Sequence, residues 1–323
     1  MMMLVGEAWG FEEQIAGKPF VGSSGKFLRA MLHELRISTY HLSNVFNFRP
    51  KGNDISTLTT RVKSEGIPGK PQIMKGKYVK GTYFKELKRL DEEITLLNPD
   101  VIVGLGGTAL WALTGDTGIA ANRGNPYFYK GIRVYGTWHP AAVLRQYDLK
   151  PILLADLAKA QALDPIPDRV VFVPENVGEL SRWLTTYVLG IPFAGCDIET
   201  HPITRQITCL GFAPTNTSAI VIPFWDKKTG ESYWSLDDEV KVWELVKKVC
   251  ARVPLVGQNF SYDMTYLWHT YGIPTPKFLG DTMLQHHSLQ PEMRKSLGLL
   301  GSLYTETPGW KHLRKDDDDK ELD

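Results

Sequence analysis

The sequence predicts an α/β protein in two parts: a three-layer unit on a parallel sheet, then a unit on a mixed sheet with antiparallel strands. Three observations predict this. Residues 1–163 alternate short apolar runs with amphipathic helical stretches, the rhythm of βαβ units. From residue 170 two apolar runs, ITCLGFAP and SAIVIPF, follow one another at hairpin spacing ahead of a helical section. Between the two patterns DPIPDR, residues 164–169, sets two prolines among charged residues and interrupts both periodicities, which marks a linker. The second unit is expected to run over 170–315, with 316–323 as an acidic tail.

In chain order, Met3 to Val5 reads as a short buried strand that breaks at Gly6. An acidic, glycine-flanked loop follows, and then a helix opening near Ser23 with the stripe Phe27, Leu28, Met31, Leu32 and Leu35. A loop between a strand and a helix is where α/β sheets place ligands. A second strand spans His41 to Asn47, with RPKGND as a turn-rich exit. From Arg61 to Arg89 the chain is cationic, Lys75, Lys77 and Lys80 among many, with Tyr78, Tyr83 and Phe84 interleaved and only Glu65 and Glu86 opposing. That tract fits a solvated loop inserted between core elements, and equally a strip that tracks phosphates.

A helix over Tyr83 to Leu97 carries Phe84, Leu87, Leu90, Ile94 and Leu97 at helical spacing, and Pro99 stops it before the strand DVIVGLG. Gly104, Gly106 and Gly107 do not make a dinucleotide fingerprint, because the third glycine comes too early and no acidic ribose partner follows. They suit close packing of the helix TALWALTG on the sheet. The strand IRVYGTW then delivers His139 and Pro140, and a helix from Pro151 to Leu163 closes the unit.

In the second part, Asp197 and Glu199 stand at i and i+2 on a strand, so both carboxylates leave one face and can share a hard cation. Two acids on an apolar strand would be costly to bury without such a partner. After the strand PLVG, Asn259 and Asp263 are four apart, the spacing of one helical face. Asp281 reads as a helix-opening cap, and His286 and His287 as helix-surface residues.

Composition narrows the function classes. The 323 residues are 43% hydrophobic, which suits about two globular domains, and the formal charge of +1 excludes a globally basic nucleic-acid coat while leaving local patches open. Cys196, Cys209 and Cys250 lack metal-ligand spacing, so a reduced cytoplasmic protein is expected rather than a disulfide-stapled secreted one. Neither a membrane-spanning apolar run nor a signal-peptide start is present, and no membrane partner is expected.

The blocks GEAWGFEEQIAGKPFVGSSGKFLRAML, SNVFNFRP, NPDVIVGLGGTAL, Arg123-Gly124 and TWHPAAVLR resemble, in order, those of the uracil-DNA glycosylase superfamily, closest to its family 4 type. The resemblance covers most of 4–162. It implies a parallel sheet flanked by helices and a pocket for a uracil flipped out of DNA. By it, His139 donates to a uracil oxygen, Asn44 reads the pyrimidine edge, Phe20 stacks on the base, and Glu7 or Glu13 positions or activates water. Without it, His139 reads as a strand-end histidine, Asn44 as a strand-end asparagine and Phe20 as core. Two departures stand out: Trp9 occupies the place of a proline in the family loop, and Phe48 the place of one of four cluster cysteines, so no iron–sulfur cluster is expected.

The DxE at Asp197 and Glu199, followed by NxxxD at Asn259 and Asp263, resembles the first two motifs of the 3′-5′ exonuclease domain of family A DNA polymerases, an RNase H-like fold. The tract DTMLQHHSLQPEMRKSLGLLGSLY resembles the helical part that follows them. This implies Mg²⁺ or Mn²⁺ on Asp197, Glu199 and Asp263, a single strand or primer terminus as substrate, and contacts to DNA from Asn259. The third motif, a tyrosine with an aspartate four residues on, does not occur after Tyr304. The fusion resembles the front end of certain phage DNA polymerases, which implies a polymerase domain or subunit as partner. A DNA-processing enzyme is expected, with a non-catalytic uracil-sensing module of a replicase as the alternative.

Overall fold

The computed structural model of the chain describes residues 1–307. Pro167–Leu297 forms one compact unit, and the described residues on either side of it form the other.

The first unit opens with β1 (Met2–Ala8), α1 (Phe11–Ala16), α2 (Ser23–Glu34) and β2 (Tyr40–Phe46). Two short strands, β3 (Thr59–Thr60) and β4 (Tyr78–Val79), pair as a ribbon before α3 (Phe84–Leu97) and β5 (Val101–Leu105). It continues through α4 (Gly107–Thr114), α5 (Ile119–Asn122), β6 (Pro126–Tyr129), β7 (Ile132–Thr137), α6 (Pro140–Arg145) and α7 (Lys150–Ala162).

The strand order is β2-β1-β5-β7-β6, parallel throughout except for the edge strand β6. Alternate residues of β1 enter different cores, because successive side chains leave opposite faces. Met2 and Leu4 pack with Leu28, Leu32, Leu153 and Leu157 of α2 and α7. Met3 and Val5 pack with Leu90, Ile94 and Trp111 of α3 and α4. The sheet is therefore covered on both faces, as a parallel sheet requires. Because β2 lies on one side of β1 and β5 on the other, strand order reverses at the carboxyl ends of β1 and β5, where open α/β sheets form their crevice.

Two local expectations are corrected. β1 does not break at Gly6, since Gly6 and Ala8 pair with Asn44 and Phe46. The cationic tract is not a bare loop: Ile67, Ile73 and Val79 within it are buried against the α3–α4 side, beside Ile55 and Leu58. Lys70 donates to Ala112 O at 2.7 Å, and burial pushes its ammonium below the usual range.

The second unit comprises β8 (Val170–Phe172), α8 (Val177–Tyr187), β9 (Ala194–Thr200), β10 (Ile207–Ala213), β11 (Ser218–Pro223), the ribbon β12 (Trp225–Asp226) with β13 (Glu231–Ser232), α9 (Leu236–Arg252), β14 (Leu255–Gly257), α10 (Ser261–Tyr271), β15 (Phe278–Asp281) and α11 (Thr282–Leu289). Its sheet runs β15-β14-β9-β10-β11-β8, antiparallel in the middle and parallel at both ends. Cys196 and Ile198 of β9 join Leu210, Phe212 and Val246 in one core, which leaves Asp197 and Glu199 on the exposed face.

The end of the described chain departs from the expected extent of the second unit. α12 (Leu297–Tyr304) and the residues after it pack into the first unit, where they complete a buried polar network. Arg123 pairs with Asp156 through Nε and Nη2 and donates from Nη1 to Ser302 Oγ at 2.9 Å. Lys159 donates to Gly124 O and Ser302 O, and Tyr135 to Glu306 Oε2 at 2.8 Å. Buried ions hold only where such partners exist, so these charges draw the segment in. The acidic run at Asp316–Asp319, and most of the stretch searched for a third exonuclease motif, lie outside the described residues.

Candidate functional site

A cavity of about 440 Å³ opens at the crevice of the first sheet. β1 brings Glu7, β2 brings Asn44, the turn after β5 brings Gly106, and the turn after β7 brings His139; Glu13 comes from α1 and Phe20 from the loop between α1 and α2. Five of the first unit's predicted site residues thus meet in one wall.

His139 is the N-cap of α6: its Nδ1 accepts the Ala141 N–H at 3.1 Å, with Pro140 in the first turn. A ring nitrogen that accepts carries no proton, so the imidazole is neutral with its hydrogen on Nε2. Burial, and then the nearby Arg145 guanidinium, push its pKa down from 6.5 to about 4, against a smaller opposing pull from Glu13. The ring lies nearly parallel to that of Phe20, with centroids 5.8 Å apart.

Phe20 is held in the left-handed region at φ 54°, unusual for an aromatic residue. Arg29 Nη1 donates to its carbonyl at 2.5 Å. A Cβ on Gly25 would overlap that same carbonyl, so a glycine there lets α2 approach it. At the other end, a Cβ on Gly6 would collide with the tip of the Phe20 ring and with Asn44 Oδ1. Asn44 is 2% exposed, and among the described residues its side-chain amide has no protein hydrogen bond.

The two carboxylates divide. Glu13 is a brace, its Oε1 accepting Gly22 N–H at 2.9 Å and its Oε2 Gly10 N–H at 3.1 Å. Glu7 accepts the Thr108 hydroxyl through Oε2 and, like Glu13, lines the cavity, but it takes no backbone N–H there. Trp9 does not line the cavity although Ala8 and Gly10 do; its backbone N–H binds Phe48 O at 3.2 Å. Its indole Nε1 is buried without a partner among the described residues.

The lysines stand apart from this wall. Pro50 and Asn53 reach the cavity, but Pro71 accepts the Trp111 indole N–H and touches the position of Gly115, the far end of α4. That end lies about 12 Å from the cavity end of the helix at 1.5 Å per residue. None of the three lines the cavity: Lys75 is exposed in the turn before β4, Lys77 is half-buried, and Lys80 donates to Thr57 O.

In the second unit, Asp263 is buried and its Oδ1 accepts the Ile198 N–H at 2.9 Å. Burial, with Asp281 and Glu199 nearby, raises its carboxyl to about 6. Asp197 and Glu199 are exposed on β9, and no three-carboxylate group able to hold a metal forms among the described residues. Asn259 is not on the face of α10 with Asp263: it precedes the helix at φ 56°, because Asp281 Oδ1 and Oδ2 take the N–H groups of Asn259 and Phe260. Asp281 also caps α11 through Met283 N–H, as expected of a helix-opening residue. His286 is buried, not on the helix surface, and burial lowers its pKa.

Residues 1–160 match the sequence model of the uracil DNA glycosylase superfamily. The chain is 32% identical over 168 residues to a type-4 uracil-DNA glycosylase of Thermotoga maritima, with 50% of this chain and 76% of that one covered. The chain belongs to the uracil DNA glycosylase superfamily. A type-4 uracil-DNA glycosylase of Sulfurisphaera tokodaii is 31% identical over 180 residues, covering 52% of this chain and 72% of that one. A DNA polymerase of Bacillus phage SP01 is 22% identical over 227 residues, covering 60% of this chain but only 24% of that one. Among solved structures, an EXD2 exonuclease domain overlaps 46% of this chain and 77% of its own at 16% identity and a TM-score of 0.26.

As a member of this superfamily the first unit lacks the thiolates for a four-cysteine cluster, since residues 1–166 contain no cysteine. Where the resemblance puts one ligand, Phe48 stacks on Tyr83 with centroids 5.6 Å apart. Sequence reasoning missed Thr108, Arg29 and Arg145. Arg145 ends the quoted block TWHPAAVLR, and it stands exposed at the cavity edge without a carboxylate partner among the described residues. Thr108 and Arg29 also lie in quoted blocks, but only the folded backbone brings them to Glu7 and Phe20.

Proposed function

We propose that the first unit hydrolyses the N-glycosidic bond of uracil in DNA. The observation that carries this reading is the neutral His139, fixed by Ala141 N–H so that Nε2–H is its one donor. When the C1′–N1 bond breaks, negative charge collects on the uracil oxygens and positive character on the sugar. A preorganised neutral donor meets the first; a carboxylate near the sugar and an oriented water meet the second. Nε2–H of His139 donates to the departing uracil oxygen, and the Asn44 amide donates to and accepts from the pyrimidine edge. Phe20 offers the flipped base its ring. Glu7 orients the water whose oxygen bonds to C1′; the water proton passes to solvent, and uracil leaves with the bonding electrons.

The test is incubation of the full chain, without added metal, with single- and double-stranded oligonucleotides containing uracil. Abasic sites are expected, and His139→Ala should lower their rate of formation about 10²–10³-fold. Between pH 8 and 5 the rate should show no titration near 6.5, with a fall only as the imidazole protonates toward pH 4 and its Nδ1 loses the Ala141 contact. Stability follows the same residue: the unfolded imidazole binds its proton near 6.5 and the folded one near 4, so stability is lost as pH falls between those values, by roughly 3 kcal/mol. Absence of abasic sites from the wild-type chain overturns excision, and preferential uracil-DNA binding in that case supports the sensing module instead.

For the second unit, the sequence resemblance of Asp197, Glu199 and Asp263 and the partial match to a phage DNA polymerase support a role in handling a DNA 3′ end during replication or repair. No metal-dependent step is derived from these carboxylates. Trimming of a 3′ end on addition of Mg²⁺ or Mn²⁺, lost in Asp197→Ala, would establish the exonuclease reading.

A further inference from the structure

Under the proposed function Asn44 reads the pyrimidine, yet it stands on β2, an edge strand. One side of β2 pairs with β1, Gly6 against Asn44; among the described residues the other has no neighbouring strand. Edge strands carry unpaired backbone groups along their open side. A side-chain amide without a protein partner inherits whatever looseness its backbone has.

A charged ladder on α3 grips β2 and its exit. Arg89 Nη2 donates to Asn44 O at 2.5 Å and to Val45 O at 3.3 Å. The same guanidinium is held by Glu93 Oε2 at 2.6 Å and by Glu86 Oε2 at 3.3 Å, at helical spacings of four and three. Each acid also grips the strand. Glu93 accepts from Ser43 Oγ at 2.7 Å and pairs with His41 Nε2 at 2.7 Å, while Glu86 accepts the Asn47 N–H at 3.2 Å. Residues 41, 43, 44, 45 and 47 of the strand and its exit are thus tied to one helix face.

We infer that Arg89 is a positioning residue for base recognition: it fixes the Asn44 backbone from α3, so that the amide meets uracil rather than cytosine. This rests on the glycosylase reading of the pocket. A planar guanidinium can serve two carbonyls and two carboxylates at once, and a lysine ammonium in the same place cannot keep that fork. The charge on α3 is retained in Arg89→Lys, so the variant separates geometry from net charge.

Two measurements on the full chain test this. The first is the affinity ratio for otherwise identical oligonucleotides carrying 2′-fluoro-2′-deoxyuridine or 2′-fluoro-2′-deoxycytidine, analogues that resist excision. Arg89→Lys should reduce the uracil preference about tenfold or more, because discrimination by a hydrogen-bonding site depends on alignment. The second is amide hydrogen exchange over residues 40–47, which should quicken about tenfold in the variant. An unchanged preference in a wild type that does favour uracil overturns the inference and leaves the pocket reading intact. A wild type with no preference overturns the pocket reading, and unchanged exchange overturns the hold on the strand in either case.

Discussion

The acidic groups of the first unit's cavity and those of β9 in the second differ in what holds them. Glu7 and Glu13 are fixed by a threonine hydroxyl and by two backbone amides, and His139 by the amide of its own helix. On β9 the strand alternation turns Asp197 and Glu199 outward, while Asp263 reaches in to a single backbone N–H and is pushed toward its neutral form. The contrast teaches that strand alternation sets the face on which carboxylates stand. Preorganisation requires partners from other elements.

Three experiments sharpen or break this contrast. The largest effect is expected where the first unit's locked network is opened. Asp156→Asn strips a charged partner from Arg123 and should cost about 3–5 kcal/mol. Ser302→Ala should cost about 1–3 kcal/mol by leaving Arg123 Nη1 unsatisfied. Denaturant unfolding reads both, and exchange over residues 298–307 should rise with them; if Ser302→Ala is silent, α12 does not complete the first unit. A smaller effect of opposite sign is expected in the second unit. Asp263 has a folded pKa raised from 3.8 to about 6, so stability is lost as pH rises through that window. Asp263→Asn should therefore stabilise the protein at pH 8 by about 2–3 kcal/mol, seen as a higher melting midpoint, and a loss of stability would show that a cation or base had been compensating the charge. The smallest effect belongs to the ribbon lysines. Neutralising Lys75 and Lys77 should change the slope of log affinity for DNA against log salt by less than about one. A larger change would return these residues to the DNA interface.

Much of the first unit was legible in the sequence because its signals are local. A strand buried on both faces is a continuous apolar run, and α2, α3 and α7 lie within a few residues of their expected spans. β6, with only four residues, carries no periodicity long enough to announce it. His139, Asn44 and Phe20 were found as members of ordered blocks, not from their types alone, since each also suits a structural role. Asn259 was misplaced because four-residue spacing implies a shared face only inside a helix, and the Asp281 carboxylate, distant in sequence, starts α10 after it. The return of α12 was invisible for the same kind of reason: Ser302 and Glu306 look like ordinary surface residues until Arg123, Lys159 and Tyr135 face them.

The sequence by itself determined the alternation of elements, the change of pattern at DPIPDR, the absence of thiolates from the first unit and the residue types of the pocket. All of these depend on composition and short-range order. Tertiary structure alone decided that Glu13 takes two backbone amides and Glu7 a threonine hydroxyl, that Trp9 stays out of the wall, that His139 is neutral, and that Arg89 grips the strand bearing Asn44. Each of these is set by burial or by a partner far away in the chain, and neither quantity exists before the chain folds.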